Sequence, residues 1–97
     1  METFISLVNY TGEGVQHMDE SPDRLDDARD VVESMGGELT HFFLTMGQYD
    51  AVAIMELPDA ETAAQAGITI SGAAAVRTET LRAFPEAEYR ELIGGLP

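Results

Sequence analysis

The chain has 97 residues, with 18 acids against 5 bases, for a formal net charge of −13. Its length points to one domain, residues 1–97, and its charge argues against nucleic acid or an anionic membrane as partners, because both would be repelled. Cysteine is absent, which excludes disulfide frameworks, thiolate zinc sites and thiol nucleophiles.

The first strand is expected over Phe4–Tyr10. Phe4, Val8 and Tyr10 fall on one face, Ile5 and Leu7 on the other, so both faces need cover. Thr11-Gly12-Glu13-Gly14 breaks the pattern, and a turn or short helical stretch follows over Val15–Glu20. Ser21-Pro22-Asp23 then reads as a helix start, with Ser21 as cap, Pro22 in the first turn and Asp23 complementing the dipole. Leu25, Ala28, Val32 and Met35 form one apolar stripe behind it. Asp26, Asp27, Asp30 and Glu33 occupy the opposite side, where Arg29 can pair with Asp26 and Glu33. Gly36-Gly37 ends the helix.

A second strand is expected over Glu38–Met46. Strict alternation puts Leu39, His41 and Phe43 on one face and Phe42 and Leu44 on the other. Gly47-Gln48-Tyr49-Asp50 turns the chain into a third strand, Ala51–Leu57, to make an antiparallel hairpin. Pro58-Asp59 starts a second helix over Ala60–Ser71, with Asp59 as cap and Gly72 as stop. A fourth strand, Ala74–Phe84, is more polar, as an edge strand should be. Pro85 opens a short C-terminal helix with Tyr89, Leu92 and Ile93 on its inner side and a Glu86–Arg90 pair outside.

The order is βαββαβ. This is an α+β, ferredoxin-like sandwich: a four-stranded antiparallel sheet with both main helices on one face. Right-handed crossovers place strands one and three centrally, and these are the most apolar. The other sheet face keeps large apolar side chains that one chain cannot cover. A homodimer packed sheet to sheet would cover it.

The stretches MGQYDAVAIMELPD and AAVRTETLRAF resemble the GYD domain family, as do YTGEGVQHMDESPDRLDDAR and MGGELTHFF. The most specific parts are Gly47, Tyr49 and Asp50, then Ser21-Pro22, then Val76-Arg77-Thr78 with Thr80-Leu81-Arg82. The resemblance implies a dimeric α/β barrel built on the ferredoxin-like unit. It implies no particular activity, since the family has no established one. The chain departs from common members where acids or neutral residues replace lysines.

Candidate functional residues divide by their setting. In the hairpin turn, Gly47 supplies a positive φ, Asp50 bonds neighbouring backbone and Tyr49 packs its ring. The competing reading makes Tyr49 and Asp50 a proton donor and acceptor at a pocket mouth. His41 is a candidate general base, but it lacks the spaced histidine or glutamate partners of a metal site, so no metal is expected. Arg77 and Glu79 share a face of strand four, as an ion pair or as an arginine presented to an anionic ligand. Asn9 and Tyr10 could line the same cavity. No hydrolase elbow, dinucleotide loop or P-loop is present, and no cofactor is expected.

The leading expectation is a small cytoplasmic homodimer that binds a small molecule between sheet and helices. A cofactor-independent isomerase or oxygenase using His41 or Tyr49 is one alternative, since that class recurs among dimeric α/β barrels. A protein-interaction module with an acidic docking surface is the other. No 18-residue apolar run suggests a membrane span, and the first ten residues lack the basic flank of a signal peptide. The acids are spread through apolar-rich periodic segments, so they should form a folded acidic surface. All five bases are arginine. A lysine-free acidic surface is the balance expected in molar salt, where the Debye length falls to about 3 Å.

Overall fold

A computed structural model describes residues 1–97. Four strands and four α-helices follow in order: β1 (Glu2–Tyr10), α1 (Gly12–Gln16), α2 (Ser21–Ser34), β2 (Glu38–Leu44), β3 (Ala51–Leu57), α3 (Ala60–Ala74), β4 (Val76–Ala83) and α4 (Glu86–Gly94). A 3-10 turn, Met18–Glu20, joins α1 to α2. The sheet order is β2-β3-β1-β4, and every pairing is antiparallel. The chain therefore has the α+β, ferredoxin-like arrangement, with the two most apolar strands at the centre.

The register sorts the side chains cleanly. Phe4 opposes Met55 and Arg82, while Ile5 opposes Ile54 and Leu81. Even-numbered residues of β1 face α2 and α3; odd-numbered residues face away from them. Phe4, Leu39, Met55 and Leu57 meet Val32 of α2 and Ala63 and Ala66 of α3 in the main core. Small side chains on α3 let that helix sit close on the sheet. A second cluster of Val8, Ala51 and Val76 lies at the other end.

Four local expectations need correction. Strict alternation fails in β2, because a bulge between Leu39 and His41 makes Thr40 the extra residue. The Thr40 hydroxyl donates to the Ile54 carbonyl at 3.1 Å. Leu39 thus joins Phe42 toward the helices, and His41 and Phe43 turn to the open face. Ser21 does not cap α2, since the 3-10 turn feeds the helix directly and Ser21 is already helical, at φ −56° and ψ −42°. Gly72 does not stop α3; packing of Ile70 and Ala74 against the second cluster outweighs a glycine penalty of about 1 kcal/mol. The helix ends at Ala75, in the left-handed region at φ 55°.

The fourth correction concerns α4, whose Tyr89, Leu92 and Ile93 are only half covered rather than packed on an inner side. They are 55%, 53% and 52% exposed. The helix is held near the sheet by Arg82, which pairs with Glu88 at 3.6 Å and lies over the Phe84 ring at 4.4 Å. Other local signals match the structure. Asp59 accepts the Thr62 N–H at 2.8 Å as the cap of α3, and Glu86 pairs with Arg90 at 2.8 Å. Gly36 and Gly47 take φ +85° and +109° at their turns. Gly37 packs where a Cβ would strike the Glu56 carbonyl and the Leu57 side chain. No helix is long and apolar enough to cross a membrane.

Candidate functional site

The sheet separates the candidate residues onto two surfaces. Tyr10 is the last residue of β1 and points to the helices. Its hydroxyl lies 3.2 Å from Ser21 Oγ, the hydroxyl left free because Ser21 does not cap. Behind this pair is a cavity of about 80 Å³ between sheet and helices. Its wall is mostly apolar, formed by Val8, Leu39, Phe42, Met55 and Ile70 with the Ser6, Thr78 and Thr80 hydroxyls among them, while Tyr10, His17, Ser21 and Arg24 bring further polar atoms to it.

Arg24 lies one helical turn beyond Ser21. Its guanidinium donates to the Ala74 carbonyl at 3.3 Å and approaches Glu20 at 3.5 Å. His17 Nδ1 lies 3.5 Å from the same Glu20 carboxylate. Of the four edge residues, sequence pattern singled out only Tyr10 as a site candidate. The available signal was indirect: Gly12-Glu13-Gly14 broke the strand and left room for a short helix over the sheet end. Gly14 is where a Cβ would meet the Ala75 carbonyl and Tyr10.

Asn9, His41, Arg77 and Glu79 face the other way. They line the helix-free surface with Ile5, Leu7, Val52, Ile54, Phe43 and Leu81, as the register requires. Tyr49 reaches that surface from the hairpin turn, and its hydroxyl donates to Glu79 Oε2 at 2.8 Å. That bond, more than desolvation, pushes the phenol pKa above its ordinary value. Tyr49 therefore keeps its proton more firmly, as suits a donor and not a base. The His41 ring stacks on Phe43 with centroids 6.2 Å apart, and its Nδ1 lies 3.0 Å from the Thr40 hydroxyl.

The expectation of one cavity lined by Asn9, Tyr10, His41, Tyr49, Arg77 and Glu79 is thus corrected. Side-chain alternation and the β2 bulge place only Tyr10 in the space between sheet and helices. The Arg77–Glu79 ion pair is also corrected, because Glu79 is engaged by Tyr49 and Arg77 forms no salt bridge. The other four arginines all do. Asp50 stitches strands: its carboxylate accepts the Tyr10 N–H at 3.0 Å, and its own N–H donates to the Val8 carbonyl at 2.9 Å. No three histidine or carboxylate side chains converge on a metal-binding arrangement.

This fold, with a Gly-x-Tyr-Asp turn tied to β1 and β4, defines a class of small α+β domains. The GYD domain model matches residues 4–93, and the chain belongs to that family. A Thermus thermophilus protein named "Glutamine synthetase and cystathionine beta-lyase binding protein" is 32% identical over 89 residues. The match covers 91% of this chain and 94% of the relative. The crystal structure of TTHA0845 from the same organism superposes with a TM-score of 0.57 at 26% identity, covering 87% of this chain and 94% of that one. The Mycobacterium tuberculosis leucine response regulatory protein, LrpA, superposes with a TM-score of 0.67 at 17% identity. That likeness is one of fold, covering 86% of this chain and half the length of LrpA.

Proposed function

We propose that the protein is a small regulatory binding module. Two copies pair through their helix-free sheet faces, the acidic helical exterior docks other proteins, and a small molecule occupies the space between sheet and helices. The uncovered sheet carries this reading. Phe43 and Leu81 are 54% and 43% exposed on it. The chain exposes 6239 Å², against the roughly 5,400 Å² expected of a compact monomer of its mass. Its radius of gyration, 14.4 Å, likewise exceeds the roughly 12.5 Å expected for this length. A second copy fits the excess best, because two such sheets can stack about 10 Å apart with a two-fold axis between them.

The relative's name, a binding protein for two enzymes, supports protein docking. The exterior available for it includes Asp23, Asp26, Asp27, Asp30 and Glu33 of α2. The test is surface plasmon resonance of the immobilised protein against purified glutamine synthetase and cystathionine beta-lyase from the same host. Saturable binding that weakens in Asp26→Lys/Asp30→Lys is the expected result. Absence of binding by both enzymes at tens of micromolar would overturn the docking role.

A further inference from the structure

We infer that the cavity between sheet and helices is a site for a small apolar monocarboxylate, with Arg24 as the carboxylate anchor. The inference rests on the small-molecule part of the function proposed above and adds the ligand's chemistry. The cavity has a one-sided character. Val8, Leu39, Phe42 and Ile70 make most of its wall hydrocarbon, with the Ser6, Thr78 and Thr80 hydroxyls among them, so a charged body would lose its hydration there without full replacement. Its volume of about 80 Å³ is several times the roughly 10–15 Å³ that one water needs.

The polar edge selects the head group. Arg24 carries five N–H donors in a planar fork. One is directed to the Ala74 carbonyl at 3.3 Å, which pins the guanidinium to the end of α3. Its other contact, to Glu20 at 3.5 Å, is long and lies on an exposed carboxylate. The fork is therefore held in place while donors remain available for a planar, bidentate acceptor, and a carboxylate matches that shape. The Tyr10 and Ser21 hydroxyls, 3.2 Å apart, can turn their protons toward the same oxygens. An ammonium head would meet Arg24 with like charge. An amide would present one acceptor oxygen to a fork built for two.

The surrounding charge sharpens the choice. Acids outnumber bases 18 to 5, so an anion is repelled from nearly all of this surface. Arg24 brings a cation to the cavity edge that is balanced in the free chain by Glu20 at 3.5 Å, so a bound carboxylate takes the guanidinium in exchange for that exposed acid.

The test is a calorimetric and NMR titration of the whole protein in about 0.1 M salt with 4-methylpentanoate, 4-methylpentanamide and 4-methylpentylammonium. The inference expects the acid to bind once per chain, at least tenfold more tightly than the amide or the ammonium, with shifts in the Val8, Leu39 and Ile70 methyl signals. Arg24→Gln should erase the preference for the acid while leaving amide binding as it was. Arg24→Lys, which keeps the charge and loses the fork, should retain part of it. Equal binding of acid and amide would overturn the carboxylate assignment and leave the cavity as a small-molecule site. Failure of all three probes to shift the cavity methyls at tens of millimolar would overturn both.

Discussion

The two faces of one sheet behave as different materials. On the helix-covered face, Phe4, Leu39, Met55 and Leu57 are buried within the chain's own core. On the open face, the same four strands present Ile5, Leu7, Val52, Ile54, Phe43 and Leu81 with no element laid over them. The open face interleaves these with Asn9, His41, Arg77 and Glu79, so it is apolar but less uniformly so than the covered one. Only 14 of 97 residues are buried, so the covered face alone makes a thin core for a chain of this length. The lesson is that the fold of one copy leaves part of the apolar content its strands encode without cover. The uncovered part is what we assign to the second copy.

Core damage and face damage should separate. Leu57→Ala removes a fully buried side chain and should cost about 2–5 kcal/mol, a large share of a small domain's stability. Chemical denaturation should show the loss, while the folded fraction still dimerises. Phe43→Asp should do the reverse. It should raise the dimer dissociation constant by about a hundredfold or more, since it places a charge in an apolar interface, and leave the far-ultraviolet circular dichroism of the monomer native-like. If both variants lose structure and assembly together, the two faces are not energetically distinct.

Salt acts on both faces at once. A dimer holds twice the −13 charge of one chain. At 0.01 M the Debye length is about 30 Å, comparable to the domain, whereas at 1 M it is about 3 Å. Excluded ions also favour apolar burial. The exposed ion pairs, such as Glu86–Arg90, weaken in salt but contribute only about 0.3–0.5 kcal/mol each. The melting temperature should therefore climb from millimolar to molar KCl. A flat or falling curve would remove the reading of the acidic surface as a salt adaptation.

Smaller effects come from single polar contacts. Asp59 caps α3 through Thr62, and those bonds hold its carboxyl below the ordinary value of 3.8. A depressed folded pKa means its stabilisation is present above the ordinary carboxyl range and is lost as pH falls through the folded value. Asp59→Ala should lower the melting temperature by about a few degrees at pH 7 and by less near pH 3. The Tyr49 phenol is raised from 10.0, chiefly by its bond to Glu79. Its stabilisation is present below about pH 10 and lost as pH climbs through the higher folded value. Ultraviolet titration should find the phenol returning toward 10 in Glu79→Gln. Tyr49→Phe should leave stability and ligand binding nearly unchanged. A fall of about tenfold or more in binding or turnover would return Tyr49 to a working role.

Much of the architecture was legible because it follows from periodicity and punctuation. Strand β3 was read residue for residue, and the Asp59 cap and the Gly36 and Gly47 turns announced themselves by residue type. The site was legible less well, for a definite reason. Assigning residues to faces assumes unbroken alternation, and the extra residue at Thr40 reverses every later side chain of β2 relative to Leu39. Nothing in Glu38–Leu44 marks a bulge, since no glycine is present. The cavity edge was hidden differently. Arg24 looks in sequence like an ordinary exposed helix arginine, and its partner Ala74 is 50 positions away. Ser21 looked like a cap because the 3-10 turn before it leaves no strong signature. The C-terminal helix kept its apolar stripe, but that stripe stays about half exposed.

The central claim is that the open sheet face is covered by a second copy of the chain. Light scattering coupled to gel filtration, at low micromolar concentration in molar KCl, tests it most directly. The account predicts a single species of twice the 10.5 kDa chain mass, with Phe43→Asp eluting at half that mass and still folded. A wild-type protein that stays monomeric under those conditions would contradict it.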